Sequence, residues 1–301
     1  MGNLYIYIGT QKAASSTIQG NLFRHHPDIC DLLAIPGWDK DILEPIWLYS
    51  NEQFSASSSE LRNKVTEHLA EVSSNNKCVI FGHQNLSRGV GVPNDVKASR
   101  LKFLFGDARI FIVLRRQDEV LKSEYLFGHF KTGRGQSFDH WLEDNMDYIR
   151  TTMDYASMLD AYTEVFGRKN LMTFFFEDLT RNPDEFARVL ASYLTIGSDR
   201  AIELMRQITK TRGSARRVKV TRLLRYVGDV NRDHIKALMP SSILEPISAW
   251  LARGPRAEVG FPKDYWLTDG AMILSSNLRL RVEYQLPIER LQYPLPESVS
   301  G

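Results

Sequence analysis

Residues Tyr5–Phe23 read YIYIGTQKAASSTIQGNLF. A β-rich alternating run reaches Gly9, Lys12 follows, then come Ala13, Ala14, Ser15, Ser16, Thr17 and a segment of helical character. A strand passing through small residues into a helix is the layout of a phosphate-binding loop. Backbone N–H groups of Ala13 to Ser16 converge on an anion, the small side chains let it come close, and the three hydroxyls and Lys12 add donors and charge. The lysine stands early, however, and the GxxxxGK[ST] order of an ATP-binding loop is missing. A polar strand-to-helix turn with a solvated lysine is the competing reading.

Working outward, KCVIFGH (77–83) and ARIFIVLRR (108–116) are short apolar runs of the kind that form buried parallel strands, and NLMTFFFEDL (170–179) reads as a third. Between them, NEQFSASSSELRNKVTEHLAEVSSNN (51–76) reads as a serine-rich loop that becomes an amphipathic helix, with Leu61, Val65, Leu69 and Val72 on one face. EVLKSEYLFGHF and most of residues 138–167 read as helical. NPDEFARVLASYL starts a helix with Asn182 as cap and Pro183 in its first turn. Strands alternating with helices predict an α/β chain, a three-layer P-loop-like fold with a central parallel sheet flanked by helices. No repeat or low-complexity linker interrupts the chain, so residues 1–301 are expected to form a single domain.

The second motif is RIFIVLRRQDEVLKSEY, which places Arg115 just past a strand and Ser123 eight residues later on the next helix. A guanidinium and a hydroxyl on the same side of a strand–helix junction can grip a second phosphate, the arginine forking onto its oxygens. IGTQKAASSTIQ resembles the 5'-phosphosulfate loop of sulfotransferases that use PAPS (3'-phosphoadenosine 5'-phosphosulfate), and RIFIVLRRQDEVLKSEY resembles their 3'-phosphate motif. YASMLDAYTEVFGRKNLMTFFFEDLTRNPDEFARVLASYL is similar to the family's strand ending in Glu-Asp-Leu with its following Asn/Asp-Pro helix. ILSSNLRLRVEYQLPIERLQYP resembles the Asn-containing ending of bacterial carbohydrate sulfotransferases. The similarity is intermittent from Tyr5 to about Pro294. Ala14 stands where many members have Gly, and Gln117 replaces a frequent proline.

The resemblance implies in-line transfer of a sulfuryl group from PAPS to a hydroxyl or amine of a carbohydrate or glycolipid, with release of PAP and no metal demanded. It assigns Thr10, Gln11, Lys12, Ala13, Ala14, Ser15, Ser16 and Thr17 to the phosphosulfate, with Lys12 stabilising the leaving phosphate. Arg115 and Ser123 fall to the 3'-phosphate. TRGS (211–214) partly matches a late nucleotide-contacting loop, which adds Arg212, Gly213 and Ser214. His83 resembles the strand-end histidine that cytosolic members use as general base, a role suited to a group titrating near neutrality. A satisfied histidine without catalytic duty competes with that role, and Gln84 stands where many carbohydrate sulfotransferases have a glutamate. His129, Glu124 and Glu44 are reserve bases. Glu177 and Asp178 read as structural acids holding a loop or helix end, because neighbours on a strand point to opposite faces.

Composition narrows the class further. The chain has 301 residues, 43% hydrophobic and 25% charged, with a formal charge of +2, which argues against a nucleic-acid coat protein. KTRGSARRVKVTRLLR (210–225) holds seven cations without an interleaved aromatic, so a solvated helical face fits better than nucleic-acid binding. Two cysteines, Cys30 and Cys78, suggest free thiols in a reducing, cytoplasmic setting. No apolar run approaches the roughly 20 residues of a membrane helix, and the sequence gives no oligomeric state. Trp38, Trp47, Tyr49, Phe127 and Phe130 lie in segments able to shape an acceptor pocket, or are packing residues. The rival functions are a P-loop nucleotide kinase or ATPase and a non-catalytic nucleotide-binding module.

Overall fold

A computed structural model describes residues 4–73, 78–132, 137–206 and 259–296. Its contacts group the chain into two compact units, one of residues 1–117, 147–208 and 271–301, the other of residues 118–146 and 209–270. In the first unit, strands β1 (Leu4–Gly9), β2 (Ile29–Asp31), β3 (Cys78–His83), β4 (Arg109–Leu114) and β5 (Leu171–Phe175) form a sheet of order β2-β3-β1-β4-β5. Every pairing is parallel. The α-helices among the described residues are α1 (Ser15–Thr17), α2 (Glu44–Trp47), α3 (Asn51–Ser73), α4 (Asn94–Phe105), α5 (Gln117–Thr132), α6 (Phe138–Asp144), α7 (Met146–Met153), α8 (Tyr155–Phe166), α9 (Phe176–Arg181), α10 (Pro183–Leu194), α11 (Ser198–Arg206) and α12 (Ala271–Val282).

The central strand β1 is apolar on both sides because both faces of the sheet are covered. Its alternation sorts the core into two layers. Ile6 and Ile8 join Phe81, Ile110 and Ile112 under α4, α8 and α12. Tyr5 and Tyr7 join Ile80, Phe111 and Val113 under α10, α11 and the π-helical turn Ile18–Phe23 that continues α1. The result is the helix–sheet–helix sandwich expected from the strand and helix pattern. The chain moves from β1 toward β2 and β3 on one side and from β4 toward β5 on the other, which makes the carboxyl ends of β1 and β4 a topological switch point.

Two local expectations change, and one strand was not foreseen. The serine-rich stretch is helical from Asn51, because Ser50 and Gln53 form a reciprocal capping box: the Gln53 amide donates to Ser50 Oγ at 3.2 Å and the Ser50 amide to Gln53 Oε1 at 2.9 Å. Strand β5 ends at Phe175, and Glu177 and Asp178 belong to the first turn of α9 rather than to a strand end. The three-residue strand β2 adds a sheet edge that no apolar run announces. Asn182 does cap α10, accepting from the Glu185 amide at 3.2 Å.

The second unit has its own aromatic nucleus. Phe138 of α6 packs on Tyr125 of α5 and on Phe261, at centroid distances of 5.1 Å each. Phe261 in turn meets Tyr265 and Trp266, and Lys122 Nζ sits 5.6 Å from the Phe261 centroid. No helix among the described residues is long and apolar enough to cross a membrane.

Candidate functional site

The loop after β1 is held in place from both neighbouring strands, β3 and β4. Thr10 Oγ1 donates to the carbonyl of Val113 on β4. Ser87 Oγ, just past β3, donates to the Gly9 carbonyl at 2.6 Å. Gln19 Nε2 donates to the Gly82 carbonyl at 2.6 Å, tying the following turn to β3. Within the loop, Ser15 Oγ donates to the Thr10 carbonyl at 3.1 Å. Lys12 and Ala14 both take positive φ, 57° and 61°. Two non-glycine residues in the left-handed region, two positions apart, are costly conformations that persist where the surroundings impose them, and such alternation turns successive amides inward as an anion-binding nest. Thr10 and Ala13 are buried, Gln11, Lys12, Ala14, Ser15 and Thr17 half-buried, and Ser16 exposed.

Arg115 meets that loop directly. Its Nη1 donates to the Lys12 carbonyl at 2.8 Å, and its guanidinium carbon lies 4.5 Å from the centroid of Phe176. Tyr155 Oη donates to the Arg115 carbonyl at 3.0 Å. The Arg116 amide donates to Glu177 Oε1 at 2.9 Å. Burial pushes the Glu177 carboxyl above its usual range, while the Arg116 amide and the two arginines oppose the shift. Glu177 is therefore a structural acid fastening the Arg115–Arg116 turn, as the sequence reading preferred, although from a helix rather than a strand. The next residue, Gln117, is fully buried and exchanges hydrogen bonds with Asn277 of α12, Nε2 to Oδ1 at 2.7 Å and Nδ2 to Oε1 at 3.2 Å.

His83 ends β3 opposite Ile8 of β1, one residue before the loop's Gly9. Its Nδ1 accepts the Asn85 amide at 3.1 Å, so the neutral ring carries its proton on Nε2. Burial, with Arg88 adding to it, lowers its pKa, and Asp39 opposes the shift. The Arg88 turn is itself pinned by Lys97, a fully buried side chain of α4 whose ammonium donates to the Arg88 carbonyl. Burial and Arg88 bring that ammonium down to about 8.

The structure thus brings Thr10 to Thr17, Arg115 and His83 to one end of the sheet. Ser123, half-buried, and Glu124, buried, both lie on α5 within the second unit. Arg212, Gly213 and Ser214 lie outside the described residues, as does the rest of the basic block. Trp38 is a core residue against Phe81 and His68. His26 is buried and spends both ring nitrogens on backbone groups, those of Gly197 and Asp28. Among the described residues no three His, Cys, Asp or Glu side chains gather as a metal site. Phe176 and Tyr155 are the functional neighbours that sequence reasoning missed. The aromatic run before Glu177 was the one local signal for Phe176.

No protein-family model matches the sequence, and a comparison with curated proteins likewise finds no match. Among solved structures, the chain is similar to a sulfotransferase from Alicyclobacillus acidocaldarius, at 17% identity and a TM-score of 0.46, over 66% of this chain and 83% of that one. It is also similar to the sulfotransferase domain from the curacin biosynthetic pathway, at 12% identity and a TM-score of 0.45, over 98% and 99% of the two chains. Likeness at that level assigns no activity.

Proposed function

We propose that residues 1–301 act as one domain that transfers a sulfuryl group from PAPS to a hydroxyl or amine of a carbohydrate or glycolipid, releasing PAP, in the cytoplasm. One observation carries the reading: the 2.8 Å bond from Arg115 Nη1 to the Lys12 carbonyl. It joins two cations 103 positions apart in sequence at the switch point where open α/β sheets take their ligands. A loop with two left-handed residues and a guanidinium beside it suits a doubly phosphorylated nucleotide.

PAPS, when bound, supplies an activated sulfate on a phosphate leaving group. The loop amides and the hydroxyls of Ser15, Ser16 and Thr17 hold the phosphosulfate end. Lys12 supplies positive charge for the departing phosphate, a preorganised stabilisation of the kind that dominates group transfer. Arg115, Ser123, Arg212, Gly213 and Ser214 are the candidates for the 3'-phosphate. His83 takes the acceptor's proton. Because Nδ1 is committed to the Asn85 amide, proton uptake requires that bond to open.

Labelled sulfate transfer from PAPS to glycan and lipid-extract panels tests the activity. Thermal shift tests the nucleotide: PAP should stabilise the protein above AMP or ATP with magnesium. Preference for ATP with magnesium would move the chain to the kinases. The engaged Nδ1 of His83 and the amide at Gln84 favour one second reading, a nucleotide-binding module without turnover. Selective PAP binding with no transfer to any acceptor would establish it.

A further inference from the structure

Strand β5 ends the sheet: it pairs with β4 and is the last member of the order β2-β3-β1-β4-β5. Alternate residues of such a strand turn their N–H and C=O groups toward the neighbour, and the residues between turn theirs outward. Among the described residues, Met172, Thr173 and Phe174 make no backbone hydrogen bond apart from the β4 ladder. An edge with unspent backbone groups is a template for another strand, and proteins commonly blunt it with a charge, a proline or a covering element. The run Leu171–Phe175, LMTFF, contains neither charge nor proline. It lies at the back of a groove of about 770 Å3. Phe186 and Val189 of α10 wall the groove from one face of the sheet, and Leu286, after α12, from the other. Met172 and Val189 leave 38% and 43% of their surface exposed.

A second copy's β5 stands between the same two walls, which hold two such edges apart beyond the spacing of a ladder, about 4.8 Å. A single extended chain has no walls and can enter. Charge marks the two ends of the groove. Asp178 is engaged by Arg290 at 3.1 Å and Glu185 by Arg188. Arg168, before β5, and Arg181, beyond it, line the groove and are exposed. Among the described residues neither meets a carboxylate, and Arg168 lies 5.0 Å from the Tyr284 centroid. Two guanidiniums bracketing five strand residues, about 17 Å of extended chain, suit a carboxylate at each end. We propose that the outer edge of β5 docks an extended segment of a partner protein, which adds as a further strand and carries acidic residues at both ends of a short apolar run. Its backbone supplies the partners that Met172–Phe174 lack, its side chains lie against the two walls, and its carboxylates meet Arg168 and Arg181.

Fluorescence anisotropy of the full chain with a labelled peptide tests this. In the probe, three valines alternate with two threonines between terminal glutamates, and saturable binding is expected. Methylating the backbone nitrogens of one alternate set of its residues should abolish binding. Methylating the other set should change affinity less than about threefold, because only one edge of the added strand faces β5. Arg168→Glu with Arg181→Glu should weaken binding of this probe about tenfold, the size of two exposed ion pairs, and should favour a probe ending in lysines. Both arginines are exposed, so melting temperature and PAP affinity should keep their wild-type values. No saturable binding, an equal loss from both methylated sets, or an unchanged affinity in the arginine variant would each overturn the docking site. Sedimentation showing a dimer that the same two substitutions dissolve would overturn it in favour of a second copy.

Discussion

Replacing Asn277 by Leu should destabilise the protein by about 3 kcal/mol, and the same structure fixes what a second substitution does. Asn277 is fully buried and takes part in three side-chain bonds: from Gln117 Nε2 at 2.7 Å, to Gln117 Oε1 at 3.2 Å and to the Pro294 carbonyl at 2.9 Å. At about 1 kcal/mol net per bond, losing three gives the stated cost. Gln117→Met also removes three, the two shared bonds and a weaker one to the Met153 carbonyl at 3.4 Å, again about 3 kcal/mol. The double variant loses four bonds rather than six, about 4 kcal/mol, so the pair should couple by about 2 kcal/mol. Urea unfolding followed by far-UV circular dichroism measures each midpoint, with an unchanged m-value as the control. Coupling below about 0.5 kcal/mol would refute the reasoning, because it would mean that the two amides do not depend on each other. Gln117 directly follows the Arg115–Arg116 turn, so Asn277→Leu should also weaken PAP binding in the folded protein.

Arg115→Lys keeps the charge but cannot hold the Lys12 carbonyl, lie flat on Phe176 and fork onto a phosphate together. PAP affinity should fall roughly 10- to 100-fold, the range of a charge-assisted bond, and a calorimetric change under about twofold would argue against the assignment. His83→Asn preserves an oxygen able to accept the Asn85 amide, so PAP affinity should hold while turnover drops more than about tenfold. If neutral His83 is the base, its lowered pKa places the acid limb of the rate profile below the ordinary 6.5, and a limb above that value would point to another group. The same shift disfavours protonation in the folded state, so its contribution to stability is full above 6.5 and declines as pH falls toward the lowered pKa. Gly91→Ala should cost roughly 3 kcal/mol or more: Gly91 has φ +80°, and an added Cβ would lie 1.9 Å from the Trp47 carbonyl oxygen. An unchanged melting temperature would show that this turn relaxes.

Strands β1, β3 and β4 were legible because a strand covered on both faces must be apolar at nearly every position, and Ile6–Ile8, Val79–Phe81 and Ile110–Leu114 are. The loop from Thr10 to Thr17 was legible because its chemistry is local. Strand β2 was not, since Ile29–Asp31 pairs with β3 over three residues and needs no longer apolar run. The serines at 55, 57 and 58 misled for a related reason: they favour turns when free, but in α3 Ser57 and Ser58 donate to carbonyls of the preceding turn once Ser50 and Gln53 have capped the helix. Glu177 fastening Arg116 from 61 positions away, and Phe176 lying under Arg115, are encounters that only the β4–β5 pairing creates. The proton arrangement on His83 was equally hidden, because it depends on where the Asn85 amide points.

Under the proposed function, the bond from the Arg115 guanidinium to the Lys12 carbonyl would couple the phosphosulfate side of the site to the 3'-phosphate side. Half-ligands should consequently feel each other: inorganic sulfate in the loop and a nucleoside 3'-phosphate at the arginine side should bind together with an affinity different from the product of their separate affinities. By linkage the influence must run equally in both directions.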